Sequence, residues 1–320
     1  MNHDVNHKQP LIVLTGPTAV GKTDLSIAFA KAVGGEIISA DSIQVYIGMD
    51  IGSAKITKEE MDGVKHHLID ILDPSEAFDV VRFQQLAKKA MQEIYDRGHI
   101  PIITGGTGFY IQSVIYDIDF TEQENHLVRD KYIDIAKTQG EEVLHGMLAK
   151  VDPEYAKGVH CHNVRKVARA LEFYEQTKTK LSDHNNLQRE KEPAYDLLYF
   201  VLCRDRETLY QRIDMRVDQM CEAGLVEEVA NLRTKGYGRD LVSMQGLGYK
   251  EIYGYLEGEC TLEEAIRCIK LNTRHFAKRQ MTWFRREKVV EFFRYEDYEN
   301  SREQMLQALL SRVNHHGLLK

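Results

Sequence analysis

The chain has 320 residues, 43% hydrophobic and 28% charged, a balance that suits a soluble globular protein and excludes a disordered or fibrous one. No apolar run approaches the roughly 18 residues a membrane span needs, and five scattered cysteines without a C-x-x-C pair argue against a disulfide framework or a structural zinc site. The net charge of −7 opposes a polyanionic partner overall, yet eight Lys/Arg face three Glu between residues 261 and 290, and five face two Glu between 160 and 180, so two basic islands remain.

In chain order, the opening MNHDVNHKQP lacks the charged-then-apolar layout of a secretion signal, and a reducing, cytoplasmic setting is expected. LIVLT (11–15) reads as a buried strand running into a glycine turn, and KTDLSIAFAKAV then carries helical spacing. EIISA (36–40) and HLIDIL (67–72) read as further strands. VVRFQQLAKKAMQEIYDRG is an amphipathic helix stopped at Gly98, followed by the strand HIPIITGG and another glycine turn. Such alternation predicts an α/β fold, a parallel sheet flanked by helices. From 117 to 195 the chain is polar and rich in helix formers, with no buried-strand run. DLLYFVLCR (196–204) restores a strand, and long helices follow. The expected organisation is a core of residues 1–116 and 196–320 interrupted by a helical insertion, 117–195.

Gly16, Pro17, Thr18, Ala19, Val20, Gly21, Lys22 and Thr23 fit G-x-x-x-x-G-K-[ST] after a predicted strand and at the start of a predicted helix, the context the motif requires. Backbone N–H groups of such a loop turn inward, the helix N-terminus adds partial positive charge, and Lys22 supplies a full one. A chance match in a structural turn is the bland alternative, but the flanking strand and helix oppose it. The loop binds a diphosphate or triphosphate; it does not say what hangs beyond. Asp41 falls just past the second strand, where ligands gather in open parallel sheets, and reads as metal ligand, general base or merely a helix cap, the role Asp is favoured for at such positions. Gly105, Gly106 and Thr107 end the HIPIITGG strand beside the same crevice.

GPTAVGKT, ADSIQVYIGMDIGSAK, HHLIDILDP, GGTGFY, RALE and KRQMTWFR stand in the order and spacing of the tRNA dimethylallyltransferases, also called tRNA isopentenyltransferases, which the chain resembles over nearly its whole length. The resemblance implies a fold like that of P-loop kinases and transfer of the dimethylallyl group of dimethylallyl diphosphate to N6 of the adenosine just 3′ of the tRNA anticodon. The diphosphate is then the leaving group. It implies Asp41 as the base that takes the amine proton, with Thr107 and Arg129 assisting at the reaction centre. Arg129 otherwise reads as a surface salt-bridge arginine. Gly16 to Thr23 and Arg216 would hold the diphosphate, with Mg²⁺ on the Thr23 hydroxyl as cofactor. The implied tRNA contacts are Asp41, Ser42, Ile43 and Gln44 near the target base, and Arg165, Lys166, Val167, Ala168 and Arg169 in the insertion. A third group is Lys278, Arg279, Gln280, Met281, Thr282, Trp283, Phe284 and Arg285. The chain ends without the cysteine–histidine spacing of the zinc finger found in longer eukaryotic relatives, and so resembles the compact bacterial form; a monomer is expected.

At 100° per residue, Arg267, Lys270, Arg274, Lys278 and Arg285 fall on one helical stripe opposite Ile266, Ile269, Phe276, Trp283 and Phe284. This predicts a helix packed by its apolar side that presents a basic rail to the anticodon stem-loop. The bland reading is an ordinary solvated face. His66-His67 and His160-Cys161-His162 lack a partner pair at ligand spacing, which argues against metal. Tyr295 and Tyr298 read as packing or surface residues. An ATP-dependent small-molecule kinase fits the phosphate loop equally well but leaves the basic rail and the insertion unexplained.

Overall fold

The computed structural model describes residues 8–120 and 126–318, which divide into two compact units. One unit runs to Ile115 and resumes at Ala194; the other is Tyr116–Pro193.

The first unit begins with β1 (Pro10–Thr15), in which Leu11 to Leu14 are fully buried. Such an unbroken apolar run belongs to a strand covered on both faces. The phosphate loop leads into α1 (Lys22–Val33), which ends at Gly34 in the left-handed conformation, its N–H donating to Ala30 O. Next come β2 (Gly35–Ala40) and a short β3 (His66–His67). The strand expected over 67–72 thus stops after His67. Leu68 (φ 63°) and Asp70 (φ 54°) adopt left-handed backbone, which ends the pleat. The displaced segment straps residues 44–47 instead: Asp70 N donates to Gln44 O at 3.2 Å, Ile71 N to Val45 O at 2.9 Å, and Ile47 N donates back to Leu72 O at 2.9 Å. α2 (Val80–Asp96) is capped by the Asp79 carboxylate on Arg82 N. β4 (Ile100–Gly105) and α3 (Gly108–Ile115) complete the first half.

The second unit contains α4 (His126–Gln139), α5 (Glu141–Val151), α6 (Pro153–Gly158), α7 (Val164–Thr177) and α8 (Leu181–Glu190). Its core is built from Leu144, Leu148, Val167, Ala168 and Leu171. Asp152, 1% exposed, caps α6 through Tyr155 N and also accepts from Ser182 N at 2.8 Å, pinning the start of α8.

The first unit resumes with β5 (Asp196–Cys203), α9 (Arg206–Glu222), α10 (Leu225–Thr234), α11 (Tyr249–Leu256), α12 (Leu262–Phe284), β6 (Glu291–Arg294) and α13 (Arg302–His316). The six strands pair in parallel in the order β3-β2-β4-β1-β5-β6. Phe200 on β5 meets Phe29 and Phe293 edge-on, at 6.2 and 5.3 Å between centroids, binding α1 and β6 to the sheet. α12 opens with a reciprocal cap: Glu264 N donates to Thr261 Oγ1 at 3.2 Å and Thr261 N to Glu264 Oε2 at 2.9 Å. No described helix is long and apolar enough to cross a membrane.

Candidate active site

Strand register assembles the site. Thr15 on β1 and Ala40 on β2 both pair with Gly105 on β4, so the residues that follow, Gly16, Asp41 and Gly106, leave the sheet side by side. Ligands collect at such C-terminal strand ends because helix N-termini and loop amides converge there. Gly16 (φ 152°) and Gly21 (φ 106°) supply backbone that other residues rarely adopt, and Ala19 joins them at φ 62°. Within the loop, Thr18 N donates to Gln280 Oε1 at 2.9 Å and Val20 N to Pro17 O at 3.3 Å.

Lys22 donates to Gly16 O at 3.0 Å and to Pro17 O at 2.9 Å, which lays its ammonium over the loop. Although the residue keeps some exposed surface, burial of the ammonium and then the nearby Arg216 guanidinium push it down to about 7, against a smaller upward pull from Asp41. Arg216, on α9, is likewise lowered by burial and by Arg212, with Asp41 acting the other way. Two crowded cations beside one carboxylate form a centre that gains by accepting a multivalent anion. The loop is braced from outside by groups the sequence motif did not disclose. Arg212 donates to Ala19 O at 2.8 Å and Arg204 to Val20 O at 3.0 Å. Tyr295, 3% exposed, donates to Gly21 O at 3.2 Å beneath the Arg204 guanidinium, 3.6 Å from its ring. Tyr295 is therefore a packing residue, as is Tyr298, stacked on Phe293.

Asp41 fulfils its capping reading and keeps one oxygen over. Its Oδ1 accepts from Ile43 N at 2.8 Å and Gln44 N at 3.3 Å, capping the turn, while Oδ2 makes no hydrogen bond to a described residue. Gln44 is held inward, accepting from Ser39 Oγ at 3.1 Å and donating to Ser53 O at 3.3 Å. Ser42 and Ile43 beside it are half-buried. Glu228 accepts from the N–H groups of Asp50, Ile51 and Gly52, fixing the turn that follows. Thr107 stands at the start of α3, its N–H donating to Ala40 O at 3.2 Å and its hydroxyl making no hydrogen bond to a described residue. The Thr23 hydroxyl is equally uncommitted and exposed. Thr23 thus offers a hard oxygen of the kind Mg²⁺ takes.

α12 carries both an inner and an outer role. The structure corrects the basic rail: its middle is neutralised by α9. Lys270 pairs with Asp218 at 2.6 Å, and Arg274 forks onto Asp214, with Nε at 3.0 Å from Oδ1. Lys278, Arg279 and Arg285 are exposed without a carboxylate partner among the described residues. Lys278 and Arg279 line an open groove of about 410 Å³ with His275, Thr282, Trp283 and Arg286. Within the expected contact segment, Gln280 (6% exposed) and Phe284 (0%) point into the protein and Met281 is half-buried, so those two inward side chains cannot meet RNA directly.

In the second unit, Arg165, Lys166 and Arg169 are exposed on α7, whereas Val167 and Ala168 are fully buried in its core, because a contiguous helical run must turn part of itself inward. Arg129 donates to Glu172, itself nearly buried, at 2.8 Å, so it takes part in an internal ion pair of this unit. His162 pairs with Glu141 in the same unit. His67 lies 2.7 Å from Glu36, at the opposite end of β2 from the phosphate loop, and the side-chain bonds from Arg97, His67 and His99 hold the Glu36 carboxyl well below its usual range despite burial.

The IPP transferase family model matches residues 44–287. A tRNA dimethylallyltransferase of Lachnoclostridium phytofermentans is 53% identical over 313 residues, covering 98% of this chain and 100% of its own. One from Bacillus pumilus is 52% identical over 287 residues, 89% of this chain and 90% of its own. Among solved structures, the full-length tRNA isopentenylpyrophosphate transferase of Bacillus halodurans is 43% identical with a TM-score of 0.72, covering 98% of this chain and 99% of that one. A eukaryotic dimethylallyltransferase acting on tRNA is 33% identical with a TM-score of 0.78, covering 89% and 74%.

Proposed function

The chain belongs to the IPP transferase family, and from that premise we infer that it transfers the dimethylallyl group of dimethylallyl diphosphate to tRNA with release of diphosphate. The acceptor is N6 of the adenosine 3′ to the anticodon. The observation that carries the reading is Asp41: a carboxylate with one uncommitted oxygen, close enough to Lys22 and Arg216 to act on the charge of both. An adenine amine is a weak nucleophile because its lone pair is delocalised into the ring. Transfer therefore needs the allylic C–O bond to ionise and the amine to lose a proton. In our reading, Lys22, Arg216 and the loop amides stabilise the charge that gathers on the departing diphosphate as the C–O electron pair leaves with it. The N6–carbon bond forms as Asp41 Oδ2 accepts the amine proton, and the Thr107 hydroxyl is available to orient the base. Mg²⁺, held by Thr23, would add positive charge on the diphosphate.

The exposed cations of α12, together with Arg165, Lys166 and Arg169 of the second unit, are proposed phosphate contacts for the anticodon stem-loop. The target base must leave its stack to reach Asp41. A tRNA substrate accords with a cytoplasmic enzyme. Kinase chemistry fits the phosphate loop alone, but the curated relatives that match nearly the whole chain are prenyl transferases. Incubation with prenyl-labelled dimethylallyl diphosphate or γ-labelled ATP, with and without unmodified tRNA, decides between them. Label from the prenyl donor should enter RNA. Phosphate transfer from ATP, or no RNA label, would overturn the reading.

A further inference from the structure

Gln280 is a neutral polar residue near the end of α12, only 6% exposed. Both the oxygen and the nitrogen of its side-chain amide engage backbone groups far away in sequence. Oε1 accepts from Thr18 N, inside the phosphate loop, at 2.9 Å; Nε2 donates to Gly106 O, one residue before Thr107, at 3.0 Å. The fit leaves no slack, since a Cβ at Gly106 would stand 2.1 Å from Gln280 Nε2. One turn further along α12, Trp283 lies so close to Gly108 that a Cβ there would fall 2.2 Å from its ring. The helix thus grips both lips of the site, the loop that holds the diphosphate and the turn that carries Thr107. Two residues of helix turn the chain by about 200°, so Lys278, with no carboxylate partner among the described residues, lies on the face opposite Gln280.

We propose that Gln280 is a positioning residue that holds the phosphate loop and the Thr107 turn at one spacing and passes the seating of RNA on the outer face of α12 to the diphosphate cradle. This rests on the prenyl-transfer reading. The reason is chemical: one planar amide offers an acceptor and a donor at fixed separation, and here they join two loops whose relative placement sets the distance from the diphosphate to the acceptor base. The Thr18 N–H held by Gln280 anchors the phosphate loop, and the Gly106 carbonyl held by the same group keeps the Thr107 turn beside it. RNA phosphates bound by Lys278 and Arg279 would fix the rotation of α12 and so hold Gln280 in place.

The test compares wild type, Gln280→Ala and Gln280→Glu in steady-state prenyl transfer to tRNA, with tRNA binding measured separately. Wild-type turnover alone tests the functional reading; the variants test the tie. Gln280→Ala should lower kcat roughly ten- to a hundredfold, the cost of small misplacement, while tRNA affinity stays within about twofold because the outer face is untouched. Saturating tRNA should tighten donor binding in wild type and fail to do so in this variant. Gln280→Glu keeps the shape: protonated, its hydroxyl donates to Gly106 O and its carbonyl accepts from Thr18 N; ionised, it sets an oxygen anion against Gly106 O. Its activity relative to wild type should therefore recover as pH falls. A merely structural glutamine would lower thermal stability without either the kcat effect or the pH recovery. Unchanged kcat in Gln280→Ala, a loss confined to the KM for tRNA, or a pH-independent ratio for Gln280→Glu would each overturn the proposal.

Discussion

Lys22 should make diphosphate binding proton-linked. Its ammonium is pushed down to about 7 in the free protein by burial and by Arg216, whereas a bound diphosphate would draw it back toward the ordinary lysine range. From that value the free protein carries the charge in roughly 90% of molecules at pH 6 and roughly 3% at pH 8.5. Affinity for inorganic diphosphate should therefore fall about 30-fold across that interval through this residue alone, equivalent to about 2 kcal/mol. At pH 8 binding should take up about 0.9 proton more in wild type than in Lys22→Met. Calorimetric titrations in buffers of different ionisation enthalpy measure this uptake, and the ligand's own ionisation cancels between the two proteins. Stability moves the other way. With the folded value below that of the unfolded chain, the unfolded chain binds the extra proton between pH 7 and 10.5. The buried ammonium then destabilises the fold fully below pH 7, and less as pH rises toward 10.5. That burden is on the order of 4 kcal/mol at pH 7.5, and the two hydrogen bonds to Gly16 and Pro17 offset about half of it. Free Lys22→Met should accordingly melt higher than wild type while losing diphosphate affinity. Equal proton uptake in the two proteins, or a lower melting temperature in the variant, would refute the argument.

Asp41→Asn preserves the Oδ1 cap on Ile43 and Gln44 but removes the proton acceptor. The expected result is an unaltered melting temperature with transfer slowed by roughly two or more powers of ten, and near-normal single-turnover rates would remove Asp41 from the chemistry. Lys278→Ala should weaken tRNA binding and reduce the slope of log K against log salt by about one phosphate contact. Lys270→Ala, whose charge is already matched by Asp218, should leave that slope within error; the same loss in both variants would restore the continuous rail.

The phosphate loop and the buried strands were legible in the sequence because each is a local matter. A strand of Leu, Ile and Val, a glycine turn and a helix start are set by neighbours within a few residues, and Asp41 was visible as the residue leaving a strand. Even there the pattern overreached at HLIDIL, where apolar alternation survives in a segment whose left-handed Leu68 and Asp70 prevent a strand. Periodicity likewise placed five cations on one face of α12, but charge is neutralised through space. Asp218 and Asp214, 52 and 60 residues away, remove the middle of that rail.

The neutralised middle of α12, the crowding of Arg216 against Lys22, and the bond from Thr18 to Gln280 across 262 positions belong to the tertiary structure alone. A single sequence records which side chain each position owns and how it repeats. It does not record which distant carboxylate or amide will meet that side chain once helices pack, and in a site built from buried charges and hydrogen bonds those meetings decide the chemistry.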